Sequence, residues 1–363
     1  MSVATVRAPH PVLAAWAALR ATGAPRGALV TLVGADGGAS KILGTQLALA
    51  EDGRAFGSVT IGGCADGRAV TAAKHALRSG ARELLTLPLA EADARALGLG
   101  CAGDVELLVE PAALDANDPV VLALEAAAVS LGNGIRAALV TPLDGATGRL
   151  LVREDGSSVG TLGTPERDIA AAARITQQLC GMSMDSGIQA WDGERWFVQL
   201  LAPAPTVLVV GATDVAAALC VLAAPLAWHT VLIDARDDVL QATRFATASE
   251  REGAMPDELV AERLRARVDA VVVLAHDYKV EVPVLRLALR STTPYIGMLA
   301  SRKRAAAVRA LLADDGVSAD ALARLCSPIG LQIGAQGPTE IAVSILAEVI
   351  AIWRALPVVA RGP

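Results

Sequence analysis

The first half of the chain repeats itself. ALVTLVG at residues 28–34 returns as ALVTPLD at 138–144, and LALAEDGRAFGSV at 47–59 returns as LLVREDGSSVGTL at 150–162. In each copy EDG separates two runs in which apolar residues alternate, the pattern of a β-hairpin. An alanine-rich stretch of helical period then follows, CADGRAVTAAKHALRSG in the first copy and PERDIAAAARITQQL in the second. Each copy therefore reads as strand, hairpin, helix. The repeat predicts that both pack into one pseudo-symmetric α/β domain.

The copies part company at one place. The first has GSVTIGGCADG at 57–67, where the second has GTLGTPERD at 160–168. Thr164-Pro165-Glu166 is a sound N-cap and first turn, so a helix starts there without glycines or cysteine. That contrast gives Gly62, Gly63 and Cys64 a task beyond starting a helix. A thiol at a helix N-terminus meets the positive end of the dipole, which favours thiolate. Two glycines let a bulky molecule approach. Cys64 is thus a candidate soft-metal ligand, sulfur carrier or nucleophile, set against the alternative of a small buried cysteine in an alanine-rich core. His75, three turns along the same helix, supports a cysteine hydrolase only weakly. Cys101, within LGLGCAGDVELLVEP at 97–111, is a second glycine-flanked thiol, and Cys180, Cys220 and Cys326 read as packing.

Five scattered cysteines without a CxxC pair argue against a disulfide framework and for a reducing, cytoplasmic compartment. A net charge of -6 argues against a nucleic-acid binder, which shows a basic face. One segment, 215–233, has no charged residue over the length of a membrane span, yet Pro225 and His229 interrupt it. A helix followed by a strand in a buried core explains it, and no membrane span is expected.

Residues 181–205 read as a last hairpin and a proline-containing linker, which puts the domain boundary at 204: an N-terminal domain 1–204 and a C-terminal domain 205–363. The rhythm then changes. TVLVV (206–210), HTVLIDAR (229–236), VDAVVVLAHD (268–277) and PYIGML (294–299) are strands with helices between them. The fold class is α/β, with a Rossmann-like, doubly wound parallel sheet in the second domain. Ligands in such sheets bind beyond the carboxyl ends of the strands. The candidates there are Gly211 in the turn GATDVA, Asp234 with Arg236, His276 in HDYK, and Ser301-Arg302-Lys303-Arg304. Asp234 lies about twenty residues past the glycine turn, the spacing of an acid that binds a ribose hydroxyl. Against a dinucleotide, Thr213 fills the second glycine position and Asp214 puts a negative charge where phosphates would sit. An NAD(P)-dependent oxidoreductase is therefore an alternative rather than the leading reading, and a non-catalytic docking protein is another.

Several segments occur together in one order: GGC at 62–64, GLGCAGDVELLVEP at 98–111, GATDVAAAL at 211–219, LAHDYK at 274–279, YIGMLASRKR at 295–304 and PIGLQIGAQGPTEIAVSILAEV at 328–349. With them the chain resembles the XdhC/CoxI family of molybdenum-hydroxylase maturation factors. The resemblance implies a cytosolic chaperone without turnover of its own. It would bind molybdenum cofactor (molybdopterin), promote its sulfurated form and help insert it into a xanthine dehydrogenase-type apoenzyme. It implies a cysteine desulfurase or cofactor-synthesis enzyme as a second partner, with Cys64 contacting the cofactor and its metal and Cys101 matching the family's second cysteine. A homodimer is the expected assembly. The family usually reads GAGHVA where this chain has GATDVA. It usually carries an arginine- and proline-rich segment where this chain has GGASKILGTQL, with Lys41 kept as a cation and Gln46 in place of an arginine.

Overall fold

Alternation along β1 (Arg26–Ala35) determines where everything in the first half goes. Ala28, Val30 and Leu32 point to one face of the strand and pack with α2 (Asp66–Ser79), whose alanines 69, 73 and 76 allow close approach. Leu29, Thr31 and Val33 point to the other face. β1 pairs with β2 (Gln46–Ala50), which turns through the EDG sequence into β3 (Ala55–Gly57). Gly53 takes a left-handed φ of 92° in that turn, as the hairpin requires. β4 (Glu83–Leu89) and β5 (Gly103–Ala113) complete an antiparallel sheet of order β3-β2-β1-β5-β4.

The structure, a computed structural model, describes residues 13–36, 42–60, 63, 65–89, 103–115, 117–144, 148–180 and 185–354. The chain divides into two compact units, Met1–Pro203 and Ala204–Pro363.

The second copy rebuilds the first. β6 (Ala137–Pro142), β7 (Arg149–Arg153), β8 (Ser158–Thr161), β9 (Gly187–Trp191) and β10 (Glu194–Leu201) form a sheet of order β8-β7-β6-β10-β9, the same topology strand for strand. α4 (Pro165–Leu179) covers it as α2 covers the first sheet. The predicted strand, hairpin and helix are present in both copies. The repeat is also longer than its recognisable sequence. α1 (Ala14–Ala21) leads the first sheet and α3 (Pro119–Gly132) leads the second, and a second hairpin closes each. Those segments need only an apolar face and a turn, so their residues have drifted apart.

Between the two inner faces lies a polar cluster. The repeat makes Thr31 and Thr141 equivalent, and likewise Gln46 and Arg149. The sheet registers Leu29↔Glu110 and Leu139↔Gln199 make Glu110 and Gln199 equivalent too. In one half, the Arg149 guanidinium pairs with the Glu110 carboxylate, each almost wholly buried. In the other half, the same two positions hold amides: Gln46 Nε2 donates to Thr31 Oγ1 and Gln199 Nε2 donates to the Gly44 carbonyl. Arg82 pairs with Glu110 at 3.1 Å and donates to the Pro142 carbonyl of the second sheet. One half of the pseudo-dyad is ionic and the other is neutral.

In the second unit every pair of neighbouring strands is parallel. β11 (Thr206–Val210), β12 (His229–Asp234), β13 (Glu250–Gly253), β14 (Ala270–Val273), β15 (Tyr295–Met298) and β16 (Leu325–Cys326) are ordered β13-β12-β11-β14-β15-β16. The chain moves outward from β11 to β13, then returns to β14, which puts a switch point between β11 and β14. α5 (Asp214–Ala223) and α11 (Pro338–Trp353) pack on one face; α7 (Pro256–Arg263), α8 (Tyr278–Arg290) and α9 (Arg302–Asp314) pack on the other. The short α6 (Asp237–Leu240) and α10 (Ala319–Ala323) fill connections. The uncharged stretch 215–233 is α5, a short 3-10 turn and β12, and no described helix is long and apolar enough to cross a membrane. β13 and β16 lie at the edges; EREG is too polar, and Leu325-Cys326 too short, to read as strands in the sequence.

The long C-terminal motif 328–349 is an anchor. Glu348 is fully buried and accepts from the Tyr295 hydroxyl at 2.7 Å and from the Gly330 amide at 2.9 Å. This ties β15 and the loop after β16 to α11.

The polar cluster of the first unit yields a prediction. Glu110→Gln leaves Arg149 buried without a carboxylate and should cost about 3–5 kcal/mol of unfolding free energy. Glu110→Gln combined with Arg149→Gln copies the amide chemistry of the other half and should recover at least half of that loss. Urea denaturation of wild type, both single variants and the double variant checks it through the coupling energy of the cycle.

Candidate functional site

Residues singled out from the sequence fall in both units. In the first, the segment after β3 turns back to start α2, and Asp66 staples it. Its Oδ1 accepts from the Val59 amide at 3.1 Å and lies 3.5 Å from the Thr60 hydroxyl. Thr60 Oγ1 in turn accepts from the Ala65 amide at 3.2 Å. The second copy has the same staple, with Asp168 Oδ1 accepting from the Leu162 amide at 2.6 Å. Seven residues separate Val59 from Asp66 and six separate Leu162 from Asp168, so the first copy carries one inserted residue. The insertion falls in TIGGCA and lengthens the turn.

Gly63 takes φ 72°, the left-handed region, and an added Cβ would meet nothing closer than Asp66 Oδ2 at 3.4 Å. Its missing side chain therefore answers to backbone conformation, since an added Cβ would make only ordinary contact with Asp66. Gly62 and Cys64 flank it in the chain and lie outside the described residues, as do Cys101 and Lys41. Asp66 is the residue that reading the sequence passed over. The matched acids at 66 and 168, set against the unmatched GGC, were the signal for it.

In the second unit the switch point opens a cavity of about 540 Å³. Gly211, Ala212, Thr213, Asp234, Arg236 and His276 are among the residues lining it, so the predicted convergence of Gly211, Asp234 and His276 is present. Ser301 and Arg302 are not among its described lining. Ser301 caps α9, its hydroxyl accepting from the Arg304 amide at 3.2 Å. Arg304 turns inward, donating to the fully buried Glu281 at 2.7 Å and lying 4.2 Å over the Tyr278 ring. The basic run is thus partly spent inside the fold.

Gly211 has φ 106°, and an added Cβ would sit 2.7 Å from the Ala275 amide, where the chain leaves β14. This glycine serves the crossing of two strand ends. Asp234 is equally committed. Its Oδ1 accepts from the amide and Nε of Arg236, and its Oδ2 accepts from the Ala212 amide and Arg236 Nη2, all between 2.7 and 3.0 Å. Burial pushes its pKa up. The Arg236 side chain and the two amides outweigh that and hold it at about 2. The carboxylate expected to receive ribose hydroxyls is already occupied by the protein's own donors.

Of the cysteines read as packing, Cys220 is fully buried, and burial pushes its thiol up to about 11. Cys326 is half-buried in β16. Cys180 is a correction: it is exposed, because it falls at the C-cap of α4, one residue beyond the helix's buried stripe. Among the described residues no group of three or more His, Cys, Asp or Glu converges as a metal site.

Comparison with known proteins bears on both units. Residues 207–349 match the XdhC Rossmann domain, and residues 20–88 match the XdhC and CoxI family. Together these matches span more than half of the chain. The chain belongs to the XdhC and CoxI family. A probable xanthine dehydrogenase subunit from Bacillus subtilis strain 168 is 31% identical over 163 residues, covering 45% of this chain and 47% of its own length. An uncharacterized protein, YqeB from Escherichia coli K12, is 28% identical over 222 residues, covering 58% of this chain and 41% of its own. The matched stretches thus span under half of these relatives. A crystal structure described as a xanthine dehydrogenase from Bacillus halodurans has the same fold, with a TM-score of 0.75, 23% identity and 98% coverage of both chains. The XdhC match over 207–349 includes β11–β15, the switch-point cavity and most of α11.

Two substitutions test the local chemistry. Gly63→Ala forces a side chain into the left-handed region and should destabilise by about 1 kcal/mol. A thermal melt of the variant against wild type measures that. Asp234 has a folded pKa of about 2 against an ordinary 3.8. Its stabilising contribution is therefore fully present above pH 4 and is lost as pH falls toward 2. Asp234→Asn should cost about 1–2 kcal/mol at neutral pH, reduced by the solvent exposure of Arg236. It should also flatten stability between pH 4 and 2, as read by denaturation at each pH.

Proposed function

We propose that this protein is a maturation factor for a xanthine dehydrogenase-type molybdenum hydroxylase, which carries molybdenum cofactor as cargo and hands it to the apoenzyme. Membership of the XdhC and CoxI family is the observation that carries this reading, and the name of the Bacillus subtilis relative points to the same enzyme class. The stapled turn after β3 suits the task. It is longer by one residue than its twin, its Gly63 takes a left-handed φ, and Cys64 stands two residues before the start of α2.

In this reading Cys64 supplies a thiolate, a soft donor to molybdenum. Gly62 and Gly63 admit the pterin ring, and Lys41 and Cys101 are further contacts. The protein keeps the cofactor available to a cysteine desulfurase or cofactor-synthesis enzyme, and the client apoenzyme then accepts it. The chain works by binding and release and needs no turnover of its own. An NAD(P)-dependent oxidoreductase is not favoured, because Asp234 already accepts four hydrogen bonds from the protein.

The test is retention of cargo. Anaerobic protein incubated with molybdenum cofactor and desalted should keep molybdenum and pterin together. Cys64→Ala should keep at least about tenfold less, a change of roughly 1.4 kcal/mol or more in binding. Equal retention by both proteins would remove Cys64 from the site. No retention by either would leave a docking protein as the surviving reading.

A further inference from the structure

The switch-point cavity combines features that exclude one ligand class and favour another. A dinucleotide needs backbone amides at the turn after the first strand to receive its diphosphate. Here three of those amides already have acceptors. Ala212 donates to Asp234, Thr213 donates to the Gly211 carbonyl at 3.0 Å, and Ala216 donates to the Thr213 hydroxyl at 3.2 Å. Thr213 also places its side chain where a glycine would let a diphosphate lie against the backbone.

Charge points the same way. Asp234 and Arg236 cancel one another within their ion pair. Asp277 lines the cavity with its Oδ1 accepting from the Lys279 amide, and it brings a negative charge to the wall. Asp214 adds a second carboxylate on the first turn of α5, offset by Arg244 at 3.1 Å. His276 is exposed at the same strand end. An entering diphosphate would lose its water and gain a carboxylate as its neighbour.

The rest of the lining is uncharged. Ala212, Ala235, Pro256, Ala275 and Val280 give the cavity small apolar walls, and its volume of about 540 Å³ suits a ring system with one substituent. We propose that this cavity seats an uncharged fused-ring heterocycle of nucleoside or pterin size, and that it rejects the diphosphate of a dinucleotide. Two sources share that chemistry, a purine nucleoside and a dephosphorylated pterin. The cavity is lined by residues of the second unit, and this inference does not depend on cargo binding at Cys64.

Calorimetric titration of the full-length protein decides it, with adenosine, 6-hydroxymethylpterin, AMP, ADP and NAD as probes. At least one neutral ring should bind with a Kd below about 1 mM. Each added phosphate should weaken its series, with NAD at least about tenfold weaker than the best neutral ring. Preference between adenosine and the pterin identifies the source. Ala235→Trp, checked for its fold by circular dichroism, should abolish binding by filling the cavity. Asp277→Asn keeps the helix cap and should narrow the gap between adenosine and NAD several-fold. NAD binding as tightly as adenosine would overturn the inference, as would heat from neither neutral ring at millimolar concentration. A gap unchanged by Asp277→Asn would overturn its electrostatic basis.

Discussion

A guanidinium and a carboxylate buried against each other hold the first unit in one arrangement. Arg149 stands at the start of β7 in one sheet and Glu110 in the middle of β5 in the other. Arg149 cannot reach water, so any slip of one sheet on the other would leave its charge buried without a carboxylate, which is far more costly than losing apolar contact. Apolar contact alone would not set this register. The inner faces also carry Leu29, Leu139, Leu151 and Leu201, and leucines tolerate many packings. The ionic couple narrows those to one. Its neutral counterpart, Gln46 and Gln199, does a different job on the other side of the pseudo-dyad. Gln199 ties down the Gly44 carbonyl and so fixes the point where the segment carrying Lys41 re-enters the sheet.

Much of this architecture was legible in the residues. EDG between alternating runs gave both hairpins, and the stretch 165–179 gave α4 to the residue, because Thr164 and Pro165 mark a helix start in chemistry that depends on nothing distant. The strands of the Rossmann sheet were equally plain, being short apolar runs between turns. What escaped were features set by distant neighbours. The hairpin of β9 and β10 is legible in residues 181–205, but its counterpart β4–β5 and the leading helices share topology with their twins without sharing residues. β13 and β16 are strands only because β12 and β15 offer them an edge. Asp66 looked like an ordinary first-turn acid until the structure placed it beside Val59 and Thr60.

The second unit shows how far fold and site can separate. Strand order, switch point and acid at the end of β12 all agree with a dinucleotide-binding domain, yet the functional groups of such a site are turned inward. Asp234 serves Arg236 and the Ala212 amide, and Thr213 serves its own helix. The sequence spacing that suggested a ribose contact is real, but spacing cannot say whether a carboxylate is vacant. That depends on Arg236, two residues along, whose side chain returns to the acid.

The glycines make the same point from the opposite direction. Gly211 and Gly63 both follow strand-like segments, both precede helices and both have left-handed φ. A side chain on Gly211 would strike the backbone of Ala275, so that glycine is explained within the fold. A side chain on Gly63 would strike nothing of the described structure. Backbone conformation accounts for Gly63 itself, but it does not account for a lengthened turn that the second copy does without. A fold that already owns a simpler way to start this helix keeps the longer one only where the added residues meet something outside it. On that ground the GGC turn, rather than the glycine of the Rossmann sheet, is where the cargo of the proposed function is to be tested.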